Sequence, residues 1–85
     1  MLKIEFSKDS EKFLKKCEDL LYERIIRKIE KLSEEPFPPD CKKISNKDGK
    51  LFRIRIGDYR IIYEIFHEKN ALVISKINKR GKVYT

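Results

Sequence analysis

The sequence predicts an α+β fold: a short N-terminal strand, a helical hairpin, then an antiparallel β-meander forming one small sheet packed on the helices. Three observations carry this expectation. A continuous run of apolar residues at helical spacing lies between Lys8 and about Ser33. Three prolines among four residues, Pro36, Pro38 and Pro39, end that run. Beyond them "GKLFRIRIGDYRIIYEI", residues 49–65, alternates almost without a slip. At 85 residues with 40% apolar content, the chain has room for a single core, so residues 1–85 read as one domain.

"LKIEF" alternates and reads as the first strand, with Leu2, Ile4 and Phe6 on one face. Ser7 follows as a helix N-cap, with Asp9 and Glu11 in the first turn, where the helix dipole favours negative charge. Phe13, Leu14, Cys17, Leu20, Leu21, Ile25, Ile26, Ile29 and Leu32 are then spaced by three and four, uninterrupted by Gly or Pro. A single helix over this span would be about 39 Å long, awkward in so small a domain. A break near "CEDL", with Asp19 capping a second helix, gives a hairpin instead; periodicity alone does not place that break. The Glu23–Arg27 pair at i,i+4 reads as solvent-side support. "EEPFPPD" stops the helix, and "CKKISNKDGK" reads as a basic loop entering the sheet.

Gly57-Asp58 between two alternating runs suits a two-residue hairpin of type II′. That turn pairs Ile56 with Tyr59, Ile54 with Ile61 and Phe52 with Tyr63 on the core side. The other side pairs Arg55 with Arg60, Arg53 with Ile62 and Leu51 with Glu64. Two arginines directly opposite one another repel. The arrangement makes better sense if an anion sits between them, since guanidinium groups match phosphate oxygens bidentately; a plain solvated face is the other reading. The last strand, "ALVISKIN", alternates weakly, so its facing stays open. It leads into "KRGKVYT", which puts Lys79, Arg80, Lys82 and Tyr84 at the C-terminal edge. Tyr84 suits base stacking beside phosphate contacts and, on spacing alone, equally suits packing on the sheet.

Charge is unevenly distributed. Residues 1–40 hold nine Lys/Arg and ten Asp/Glu, a net of −1, whereas residues 41–85 hold twelve against four, a net of +8. Such asymmetry makes a local field that attracts phosphates or an acidic protein. Cys17 and Cys41 form no CxxC pair and have only His67 to join them, so no metal site is expected. No cofactor is expected either. No apolar run approaches a membrane span, and "MLKIEFSKD" lacks a signal-peptide stretch, so a cytoplasmic protein without membrane contact is expected.

The order of elements, together with "RIRIGDYRIIYEI" and "INKRGKVY", resembles the RelE/ParE superfamily of toxin–antitoxin toxins across essentially the whole chain. The resemblance is closest to the RelE branch, whose members are ribosome-dependent endoribonucleases that cut messenger RNA in the decoding site. It implies catalytic roles for Arg60, Arg80 and Tyr84. Arg53, Arg55, Lys79 and Lys82 would then bind RNA phosphates. It implies as partners the ribosome, mRNA and an acidic, RelB-like antitoxin, and requires no metal. Arg53 and Arg55 stand where two lysines are usual, and the sequence stops at Thr85, short of a C-terminal helix that some relatives carry. Two readings compete: a ParE-like poison of DNA gyrase, and a non-catalytic module that binds RNA or protein.

Overall fold

The computed structural model describes residues 1–44 and 51–79. The elements run β1 (Lys3–Phe6), α1 (Lys8–Lys16), α2 (Asp19–Glu34), β2 (Lys42–Lys43), β3 (Leu51–Ile56), β4 (Tyr59–Phe66) and β5 (Ala71–Lys79), with a 3₁₀ turn at His67–Lys69 before β5. The strands form one sheet in the order β1-β5-β4-β3-β2. β1 lies parallel to β5, and the other neighbours are antiparallel.

Ser7 caps α1 as expected, its Oγ accepting from the Ser10 N–H at 3.1 Å. The helical run breaks at two extended residues, Cys17 (ψ 163°) and Glu18 (ψ 154°). Glu18, not Asp19, is the N-cap of α2, and its side chain makes no capping bond. Asp19 is the first helical residue, where its charge still suits the helix dipole. Leu20, beside the break, is left 76% exposed, so the apolar helical run is not all core.

α2 contributes Ile25, Ile29 and Leu32 to a core completed by Ile54, Ile61, Tyr63, Leu72 and Ile74 from the sheet, all buried. Tyr63 donates its hydroxyl to the Pro36 carbonyl at 2.8 Å, tying the proline-stopped end of α2 to β4. Burial pushes this phenol far above its ordinary value of 10.0, so it stays protonated in the folded protein. Tyr63→Phe should cost about 1 kcal/mol at neutral pH, because the Pro36 carbonyl loses its donor. The raised folded pKa means that this contribution is complete below pH 10 and falls above it, as the unfolded chain ionises first. Urea titrations should therefore show the wild type losing stability faster than Tyr63→Phe above that pH. Parallel decline in both proteins would contradict this account of the phenol.

The β3–β4 hairpin has the expected register throughout. Gly57 has φ +54°, and no non-glycine in the turn has positive φ, as a type II′ turn requires. The loop expected after Cys41 is in part a strand: Lys42 and Lys43 pair with Arg53 and Phe52. Two residues are too few to show alternation, so composition alone could not reveal it.

β5 explains its own weak alternation. Between Ile62 and Tyr63 of β4 the pairing jumps from Lys76 to Ile74, leaving Ser75 as the extra residue of a β-bulge. Ile74 and Ile77 thus both reach the core although they are three apart. The start of α1 sits against this bulge. Ser7 Oγ donates to the Ser75 carbonyl at 2.7 Å, while the Ser7 N–H and the buried Ser10 Oγ both reach the Ile74 carbonyl at 3.0 Å. The helix cap therefore also bonds β5 carbonyls where the β1 pairing ends, at Ile74 and Ser75.

Candidate functional site

The sheet has a helix-side face, filled by the core, and an open face. Cross-strand partners share a face, so the register decides what the open face displays. One row reads Lys42, Arg53, Ile62 and Lys76 across β2, β3, β4 and β5. The next reads Arg55, Arg60 and Asn78 across β3, β4 and β5. At about 4.8 Å between strands, the first row extends about 14 Å. Arg53, Arg55 and Arg60 therefore share one face, as their alternation requires.

Arg55 is exposed, while Arg53 and Arg60 are half-buried. Lys42, Arg53 and Arg55 with Asp40 line a cavity of about 290 Å³ at the β2–β3 edge. Asp40 is held by Lys28 of α2 at 3.1 Å, and that hydrogen bond keeps its carboxyl below the usual range. Lys76 lies 3.8 Å from Asp9, an exposed contact of little energetic weight. The Oδ1 of Asn78 is buried without a hydrogen-bond partner among the described residues, next to Arg60 in the row.

The remaining expected site residues divide in two. Lys79 stands opposite Tyr59, whose ring meets Phe13 of α1 at 5.6 Å. Lys79 is thus on the helix side at the end of β5, apart from the arginine rows, because the bulge resets β5 facing upstream of it. Arg80, Lys82 and Tyr84 lie outside the described residues. Lys42, Lys76 and Asn78 join the open face without having been singled out in the sequence. Lys42 belongs to the segment read as a loop, and the other two follow the bulge.

Burial pushes the Cys17 thiol up, away from the thiolate a nucleophile needs. Among the described residues no three His, Cys, Asp or Glu side chains cluster as metal ligands. What the open face can do is neutralise phosphoryl oxygens and hold a nucleic-acid backbone in register.

The family model for the ParE toxin of the type II toxin–antitoxin system parDE matches residues 4–84. The chain belongs to the RelE/ParE toxin family. Among solved structures, this toxin is similar to the archaeal RelE–RelB complex of Pyrococcus horikoshii, with TM-score 0.82 and 29% identity over 96% of this chain and 98% of that one. The toxin–antitoxin complex RelBE2 of Mycobacterium tuberculosis shares the fold at TM-score 0.78 and 24% identity, covering 93% and 98% of the two chains. Toxin RelE1 of Methanocaldococcus jannaschii is 32% identical over 59 residues, 66% of this chain and 64% of that protein. The fold of this toxin is therefore RelE-like, and among the described residues no helix is long and apolar enough to cross a membrane.

Proposed function

We propose that this RelE-like toxin is a ribosome-dependent endoribonuclease that cuts mRNA in the decoding site. The observation that carries the proposal is the Arg55–Arg60 pair on the open face. The pair sets two guanidinium groups side by side on one face, an arrangement that matches the oxygens of a phosphate.

In the proposed reaction a ribose 2′-oxygen attacks the adjacent phosphorus. A P–O bond forms to the 2′-oxygen, and the bond to the 5′-oxygen of the next nucleotide breaks, giving a cyclic phosphate and a 5′-hydroxyl. The 2′-hydroxyl proton leaves as that bond forms, and the departing 5′-oxygen takes one up. Negative charge grows on the phosphoryl oxygens, and fixed cations stabilise that state most. Arg60 and Arg80 are assigned that clamp, with Arg53 and Arg55 holding the backbone on either side. Tyr84 stacks on a base or assists proton transfer. Lys79 and Lys82 are assigned outer phosphate contacts near the end of β5. Arginine is a poor base because it stays protonated, so orientation of the RNA by the ribosome carries much of the catalysis.

The same reading includes an antitoxin, because the similar structures include complexes named RelE–RelB. Its helices have a place to dock. Phe6, Leu14, Tyr22 and Ile26, with Glu11 and Lys15 beside them, line a groove of about 360 Å³.

The deciding assay programs purified ribosomes with mRNA, adds the toxin, and runs gyrase supercoiling alongside. Cleavage should require ribosomes and survive EDTA. Efficient cutting of naked RNA, or activity lost to chelation and restored by a divalent metal, would overturn this mechanism. Inhibited supercoiling without cleavage would favour the gyrase-poison reading, which the ParE description of the family model keeps in view.

A further inference from the structure

The net charge of −1 over residues 1–40 conceals a segregated helix. On α2, Arg24, Arg27, Lys28 and Lys31 follow i, i+3, i+4, i+7 and so occupy one stripe about 100° wide. Asp19, Glu23, Glu30 and Glu34 fall on a second stripe, and the core residues Ile25, Ile29 and Leu32 on a third. Basic and acidic residues cancel in the sum but not in space. Glu23 and Arg27 form no ion pair, contrary to the i,i+4 expectation.

The fold then brings the basic stripe to β3. Arg24, Arg27, Lys28 and Lys31 line a groove of about 410 Å³ with Arg55, floored by Ile56 and Gly57. A Cβ at position 57 would stand 3.2 Å from Arg24 Nη2, so the glycine leaves room for that guanidinium over the hairpin turn. Among the described residues Arg24, Arg27 and Lys31 make no ion pair, and Lys28 meets only Asp40. Arg55 lines both this groove and the cavity on the open face. Arg55 thus joins the α2 groove to the arginine rows, with Asp40, paired to Lys28, standing beside it.

We propose that the α2–β3 groove is a second RNA-backbone site, which extends the footprint of the RNA beyond the open face. From Arg24 to Lys31 the stripe runs about 10.5 Å along the helix, enough to follow two or three successive phosphates. An acidic peptide fits less well. A segment that folds on binding needs apolar anchors, and among the described residues this groove offers only the nearly buried Ile56. Phosphates need cations alone, and the arginine forks match them.

The test uses a single-stranded 2′-O-methyl oligoribonucleotide, which lacks the attacking hydroxyl, so binding is read apart from cleavage. Failure here would leave the nuclease reading standing, and absence of nuclease activity would leave this site standing. The variant Arg24→Gln/Arg27→Gln/Lys31→Gln keeps side-chain length and helix propensity. Its affinity should fall about tenfold, and the slope of log Kobs against log salt should shrink by about 2. Lys31→Gln alone should shrink the slope by about 0.7, which keeps the test decisive if the triple variant folds poorly. Glu23→Gln/Glu30→Gln, on the acidic stripe, should leave the slope unchanged. Wild-type affinity and slope in the basic-stripe variants would overturn the proposal. So would loss of poly-glutamate binding with oligonucleotide binding intact, which would make the groove a protein-docking site.

Discussion

Arg60→Ala should lower the rate of ribosome-programmed mRNA cleavage by about 10²–10³-fold, the usual loss when one preorganised partner of a developing oxyanion is removed. Arg60 stands between Arg55 on one side and Asn78 on the other, half-buried with its Nε out of solvent, which restricts the guanidinium. Fixed charge of this kind acts on the transition state without reorganising during the reaction. The same substitution should change thermal stability little, because ending the cross-strand repulsion with Arg55 offsets the loss of Arg60's own contacts. Cleavage rate and melting temperature should therefore move independently. Wild-type cleavage by Arg60→Ala would remove it from the clamp, and a large loss of stability would make the rate uninterpretable as catalysis. Arg80→Ala and Tyr84→Phe extend the test to the C-terminal edge, each expected to relieve growth inhibition in cells.

The second large effect concerns the antitoxin. Residues 41–85 carry a net charge of +8, and α2 adds a basic stripe beside them. An acidic partner should be steered onto this surface, and its association rate should fall by one to two orders of magnitude from low to high salt. Screening limits such steering to about 8 Å at physiological ionic strength. The dissociation rate should respond less, because the groove lined by Phe6, Leu14, Tyr22 and Ile26 offers apolar anchorage that salt does not screen. Stopped-flow mixing with the product of the neighbouring gene reads both rates. A salt-independent association rate would sink the electrostatic argument, and no binding at all would sink the antitoxin assignment.

The family resemblance was legible in "RIRIGDYRIIYEI", and matching of the ParE toxin family model to residues 4–84 agrees with it. The geometry of the arginine pair was legible for a separate reason. Alternation with period two, closed by a two-residue Gly-Asp turn, leaves only one register in which Ile54, Ile56 and Ile61 are all buried. Ser7 as cap and the prolines as stop were legible because both act within a few residues of themselves.

Long-range partners decided the rest. β1 pairs with β5, nearly the full length of the chain away, and nothing local in "LKIEF" says whether that pairing is parallel. The bulge at Ser75 turns Lys76 and Asn78 to the open face and Lys79 to the other, reversing what simple alternation past Ile74 would give. Ser7, the cap of α1, and Ser10 in its first turn bond the carbonyls there. The basic stripe of α2 shows the limit of counting charge along a chain. Its neighbours in sequence neutralise it, whereas its neighbour in space is Arg55. Sequence alone thus determined the α1 cap, the proline stop and the arginine register inside one hairpin. Tertiary structure decided which face each residue of β5 presents and which separate cations act together, because those depend on contacts between segments far apart in the chain.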